Sequence, residues 1–174
     1  MYICNVKNLK KAQTELMELH SEEKQISEDI IAKKNAEIAS LQLRITDYQE
    51  KRQHQIATLE ERLSGSDIVK HLRALADANP YQQAERSDFR RLRDLINQEI
   101  PHFYTTVNTS SYTLSAVEYD VTLLLRVHFS PVEIHKLTGL SNSYISNMRS
   151  RLLQKVYAEE GSPKDYDQKV LSIR

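Results

Sequence analysis

Glycine and proline are scarce in this chain. Gly65, Gly139 and Gly161 are the only glycines in 174 residues, and there are four prolines. Average proteins carry about 7 per cent glycine. Three scattered glycines cannot build a phosphate-cradling loop or a dinucleotide-binding turn. The single cysteine, Cys4, excludes an intramolecular disulfide framework and a cysteine-based zinc site. No run approaches the ~18 apolar residues of a membrane span, and no signal peptide opens the chain. The expectation is a chain with no membrane contact of its own in a reducing, cytoplasmic setting. Charge of one sign is missing too: 24 basic residues meet 24 acidic ones.

The residues of a catalytic centre are also missing. His20, His54, His71 and His102 are isolated, and His128 and His135 stand seven apart across a helix break. His128 and His135 have no paired carboxylate to orient them. Surface or packing roles are expected for all six, with no metal, no cofactor and no catalytic residue.

What is abundant is helix-forming sequence. From Leu9 to Leu63 there is neither glycine nor proline, and apolar residues recur three and four apart. Leu9, Ala12, Leu16, Leu19, Ile26 and Ile30 form one seam, broken by Glu23. The pattern slips by one residue and continues as Ile31, Ile38, Leu41, Ile45 and Tyr48. It slips again before Ile56, Leu59 and Leu63. A seven-residue apolar repeat with charged flanks predicts a left-handed coiled coil, and register breaks relax the supercoil locally. At ~1.5 Å per residue the helix reaches roughly 80 Å, too long to pack along its whole length on a domain of the remaining size. Residues 1–63 are therefore read as a dimerisation helix that pairs with a second copy through residues 9–63. The alternatives are a helix folded back on the rest of the chain or an antiparallel pair within it. Polar seam positions, Lys34, Arg52, Gln55 and Arg62, predict a modest coil.

Residues 64–113 read as a helical connector. Ser66 or Asp67 caps a helix over Ile68 to Ala76, and Asn79-Pro80 breaks it. Ser87 caps the next, with Phe89, Leu92 and Ile96 on one face, and Pro101 opens a short helix carrying Phe103 and Val107. Asn108 to Thr113 is a polar loop. Arg86, Arg90, Arg91 and Arg93 are interleaved with Asp88, Asp94 and Glu99, the pattern of a solvated ion-paired face.

Residues 114–174 are the most informative. Ser115 with Glu118, and Ser130 with Glu133, are capping-box pairs. The first opens a helix burying Val117, Val121, Leu124, Leu125 and Val127. The second opens a short helix, Pro131 to Thr138, ended by Gly139 where a left-handed residue is needed. Leu140 plugs the corner, and Ser141 or Asn142 caps a helix over about 142–157. At 100° per residue Ile145, Met148, Leu152 and Val156 face inward. Ser143, Ser146, Asn147, Ser150 and Gln154 face outward, bracketed by Arg149 and Arg151 with Tyr144 near Arg151. Small polar side chains can meet base edges at close range while arginines reach the phosphate walls of a groove. Tyr119, Tyr157 and Tyr166 read as core-edge residues with wet hydroxyls. After Gly161, Ser162 and Pro163 open a short docking helix with Val170 and Leu171.

The run Leu114-Ser115-x-x-Glu118, Ser130-x-x-Glu133-Ile134, Leu140-Ser141-x-x-Tyr144-Ile145-Ser146 and Leu152-x-x-Lys155-Val156 resembles the LuxR-type helix–turn–helix. The fuller run, including Gly161-Ser-Pro-Lys-Asp-Tyr-Asp, is similar to a group of Bacteroidetes coiled-coil/helix–turn–helix transcriptional regulators. The resemblance implies a four-helix DNA-binding domain with its third helix in the major groove of double-stranded DNA. It implies groove contacts from Ser143, Tyr144, Ser146 and Asn147. It also implies phosphate contacts from Ser130, Ser141, Asn142, Arg149, Arg151 and Lys155. In that group a sensor region and often a membrane helix precede the coil, so the chain is expected as the cytoplasmic part of a longer membrane-linked regulator. Three positions depart from the wider family: Ser146 stands for a usual Lys, His135 for a small Ala, and His128 for Gly.

The expected function is a DNA-binding transcriptional regulator with an all-α fold, a long N-terminal coiled-coil helix leading to a small helical domain. Two heads would fit half-sites ~34 Å apart or a multiple of that, and Arg149 and Arg151 would each add to the salt dependence. The alternative is a non-enzymatic protein-interaction or scaffold module that retains the helix–turn–helix. A sigma-factor-like region is a third reading, against which the long coil argues.

Overall fold

The computed structural model describes the backbone of residues 2–109 and 111–174, and the side chains from Lys10 onward except Ser110. Met1 lies outside the described residues, as do the side chains of Tyr2, Cys4 and Leu9, the last being the first seam position. All regular structure among the described residues is helical: α1 (Tyr2–Gly65), α2 (Asp67–Asp77), α3 (Arg86–Glu99), α4 (Phe103–Val107), α5 (Ala116–Arg126), α6 (Pro131–Thr138), α7 (Asn142–Tyr157) and α8 (Pro163–Ser172). No helix among the described residues is long and apolar enough to cross a membrane. The chain forms two compact units, Met1–Gln53 and His54–Arg174.

The first unit is α1 alone. Every described side chain from Lys10 to Gln53 is exposed, its seam included: Leu41 is 46% exposed and Leu16 68%. Local ion pairs one turn apart, such as Lys34 with Glu37 and Lys51 with Asp47, both at 2.8 Å, support the helix.

The second unit takes in the last turns of α1. There Leu59 and Leu63 are buried and join one continuous core with Leu72, Leu92, Ile96, Phe103, Leu124 and Ile134. The seam is thus covered along the last turns of the helix and exposed before them. Ser66 caps α2 through its hydroxyl, which accepts from the Val69 N–H. The α3 cap differs from expectation. Glu85, not Ser87, is the N-cap: its backbone carbonyl accepts from the Asp88 N–H at 3.0 Å while the Asp88 carboxylate accepts from the Glu85 N–H at 3.0 Å. Ser87 is left to donate to Glu85 Oε2 at 3.4 Å. Val117 is also corrected. It is 45% exposed, lying in the first turn of α5, before the helix turns its apolar face to the core. Leu125 and Val127 are buried as expected, and so are Leu123 and Thr122. Tyr119 and Tyr166 are core residues with 4% and 0% exposure rather than edge residues. The Tyr166 hydroxyl meets Thr122 Oγ1 at 2.8 Å instead of water, and burial holds its pKa high.

The largest fully buried side chain is Arg126, at the end of α5. Its Nε donates to the Ile173 carbonyl at 3.0 Å and its Nη1 to Glu60 of α1 at 3.0 Å. Burial lowers its pKa from the ordinary value, and the Glu60 carboxylate opposes that fall without cancelling it. His128 Nε2 donates to the other Glu60 oxygen at 2.9 Å, so this histidine does have an orienting carboxylate, 68 residues away in sequence. Arg73 of α2 makes the matching tie on the other side of the α5–α6 turn. It pairs with Glu133 at 2.9 Å and covers the Phe129 ring.

Removing one partner of a buried ion pair strands the other charge. Glu60→Ala is expected to lower the unfolding free energy by about 3 kcal/mol, read by denaturant melts. Glu61→Ala, at the neighbouring exposed position, changes it by less than about 0.5 kcal/mol.

Candidate nucleic-acid interface

Two short helices and a three-residue turn build the candidate interface. Ser130 Oγ accepts from the Glu133 N–H while Glu133 accepts from the Ser130 N–H, and Pro131 opens α6. Both N-cap donors are thereby satisfied. Gly139 ends α6 with φ 73°, the left-handed conformation expected there. Ser141 then caps α7, its hydroxyl accepting from the Tyr144 N–H at 3.1 Å. Leu140 packs against the core from the corner. His135, in place of a small residue, fits because its ring donates to the Leu140 carbonyl at 2.7 Å and tilts against Tyr81.

The α7 face divides largely as its periodicity predicts. Ile145, Met148 and Leu152 are buried, with Leu153 added to them. Ser141, Asn142, Ser143 and Asn147 are exposed, Tyr144 is 46% exposed and Ser146 is half-buried. Ser130, at the start of α6, is exposed as well. The four groove residues, the caps Ser130 and Ser141, and Asn142 thus lie toward the N-terminal ends of α6 and α7, all but Ser146 exposed.

The cations do not follow the expectation. Arg149 is not on the outer flank: it is 5% exposed, and its Nε and Nη2 both donate to Asp167 of α8. A two-pronged pair of this kind engages one edge of the guanidinium, so Arg149 anchors α8 and, at 5% exposure, presents little to a phosphate in this arrangement. Burial raises the Asp167 pKa, and Arg149 opposes that rise. Arg151 is partly accessible, but its Nη2 donates to Glu118 Oε1 at 2.9 Å. Lys155 is exposed and rests on the Tyr112 ring, 4.5 Å from its centroid.

Glu118 is the residue that joins these parts, and sequence reasoning saw only its capping role. Its carboxylate, 5% exposed, accepts from the Ser115 N–H and hydroxyl, the Tyr112 hydroxyl and Arg151, all at 2.8–2.9 Å. Burial pushes its pKa up, but these four donors outweigh burial and leave it below the usual range. The signal for the cap is local, three residues apart. The signal for Arg151 and Tyr112 is absent from sequence, because nothing local links position 118 to 151. Asp167 is missed for the same reason.

Comparisons with protein-family models, with curated proteins and with solved structures found no match for this chain.

A lowered carboxylate pKa stabilises the fold above the unfolded value and loses that contribution as pH falls. Glu118 should therefore contribute fully above about pH 4.3, and its contribution should fade below that as the folded carboxylate takes up its proton. Thermal melts between pH 6 and pH 3 are expected to show wild type losing stability more steeply than Glu118→Gln. Parallel losses in the two proteins would show that the Glu118 charge does not carry the effect.

Proposed function

We propose that α6, the Gly139 turn and α7 form a DNA-reading helix–turn–helix, presented by a chain that self-associates through the exposed seam of α1. The observation that carries this reading is the accessible N-terminal turn of α7. Ser143, Tyr144 and Asn147 face solvent there while Ile145 and Met148 lock the helix to the core. Small polar side chains beside an aromatic ring suit base edges in a major groove. The resemblance of Leu114–Val156 to LuxR-type domains supports the same reading. Phosphate contacts fall to Lys155, to Arg151 after exchange from Glu118, and to the Ser130, Ser141 and Asn142 ends of the two helices.

A protein-interaction module is the second reading. Residues 54–174 carry 15 basic and 15 acidic residues, and two of the three α7 cations are held by carboxylates. A DNA-binding surface normally shows a basic excess.

Fluorescence anisotropy of a labelled random-sequence duplex at low and physiological salt decides between them. A dimer that neutralises three phosphates is expected to lose affinity with a log–log salt slope of about −2.7. Lys155→Ala should flatten that slope by ~0.9 for each phosphate it no longer neutralises, with the melting temperature unchanged. Arg149→Ala should instead lower stability, because it leaves Asp167 half-buried and unpaired. Absence of binding at low salt would favour the interaction module.

A further inference from the structure

The exposed seam of the first unit carries information about the orientation of its partner. We propose that residues 11–53 of α1 pair with the same residues of a second copy in antiparallel orientation, with the two-fold axis at Ala32. This rests on the reading of α1 as a self-association helix and specifies its geometry.

The sequence offers a direct comparison of the two orientations. The seam has one register up to Ile30 and another, shifted by one residue, from Ile31. In a parallel pair each seam residue meets its own copy. Glu23 then faces Glu23, Lys34 faces Lys34 and Arg52 faces Arg52, placing like charges in three layers of the seam. The flanking positions give little in return. Glu22 falls beside the partner's Ser27, Glu37 beside the partner's Gln42, and Arg44 beside the partner's Gln49.

In an antiparallel pair an a position meets a d position of the partner. With the axis at Ala32, each a position of the first register falls on a d position of the second, and each d on an a. Ile26 meets the partner's Ile38, Leu19 the partner's Ile45 and Leu16 the partner's Tyr48. Each charged seam residue meets an apolar one: Glu23 the partner's Leu41, Lys34 the partner's Ile30, and Arg52 the partner's Ala12. Long lysine and arginine stems can lie along such a neighbour with the charged head in water. The one-residue slip, which interrupts a single helix, falls at the axis: Ile31 there meets the partner's Lys33, and the layers on either side are matched.

Charge points the same way. Residues 11–31 hold six acids and two bases, whereas residues 33–53 hold five bases and three acids. Antiparallel pairing lays the acidic half on the basic half. At the flanking g positions it sets Glu22 beside the partner's Arg44 and Glu15 beside the partner's Lys51, each twice by symmetry. Asp29 and the partner's Glu37 are the one like-charged pair at these positions, and Lys34 already sits 2.8 Å from Glu37. The existing pairs of Glu15 with Lys11 and of Lys51 with Asp47 are solvent-exposed and free to exchange.

The paired length agrees with what the fold leaves open. With the axis at Ala32, Gln53 meets the partner's Lys11, and the first compact unit ends at Gln53. Beyond it the apolar stripe is already covered, with Leu59 at 7% and Leu63 at 1% exposure. The second copy would therefore cover the free part of the seam and stop where the covered part begins.

Sedimentation equilibrium of the full chain tests whether it self-associates, and disulfide trapping in a Cys4→Ser background tests the orientation. Leu19→Cys and Ile45→Cys are each oxidised alone and then mixed, with tags of different mass. The expected result is no covalent dimer from either variant alone and a mixed covalent dimer from the two together. A covalent dimer from Leu19→Cys alone would overturn the antiparallel orientation while leaving self-association intact. A monomer at all concentrations would remove the self-association reading itself and the proposal with it. Charge reversal gives a second test free of oxidation. Glu22→Lys is expected to weaken the dimer about fivefold to tenfold, and Glu22→Lys with Arg44→Glu to restore it. Failure of the double variant to recover affinity would count against the pairing.

Discussion

A buried guanidinium organises the second unit. Arg126 ends α5 with no exposed surface, and a charge there needs partners from whatever packs around it. Those partners come from opposite ends of the chain: Glu60 in the last turns of α1 and the carbonyl of Ile173 after α8. The first and last helical segments of the unit must both be in place before Arg126 has these two partners, which ties formation of the helix–turn–helix scaffold to closure of the whole unit. The interaction is not a simple gain in stability, since desolvation offsets much of the attraction. Its effect is to make arrangements that lack Glu60 or the Ile173 carbonyl costlier still, since Arg126 Nη2 is buried without a partner even in the closed unit.

The parts legible in the sequence are those set by local rules. Ser66, Ser115, Ser130 and Ser141 all cap helices in the structure, because a cap needs only a side chain within three residues of the N–H it serves. Gly139 is left-handed as expected, and so, less comfortably, is His128 at φ 62°. A residue with a Cβ is strained there, and the Glu60 bond helps to hold it. The inward face of α7 was legible from its period.

What the sequence hid was the destination of charge. Arg149 and Arg151 look alike on a helical projection, but one meets Asp167 and the other Glu118, through contacts 18 and 33 residues apart. Periodicity gives the direction of a side chain, not what the next helix puts in front of it. Arg149 lies close to the boundary between the inward and outward faces, and α8 covers that boundary. Tyr166 and Tyr119 were misplaced for the same reason. The second unit is therefore more internally compensated than a count of arginines on α7 implies, and its 15 basic residues are balanced by 15 acidic ones.

That compensation bears on how a DNA-reading α7 would find its target. A strongly basic domain is captured by any stretch of duplex and slides along it, because its long-range attraction does not depend on sequence. A unit of zero net charge, with Arg149 and Arg151 held in internal pairs, has little of that attraction at physiological salt. It would spend short times on random DNA and sample sites by repeated collisions through solution. Each encounter would be tested by contacts at Ser143, Tyr144 and Asn147, made only at touching distance. Such a protein gives up speed of search for freedom from entrapment on the rest of the genome.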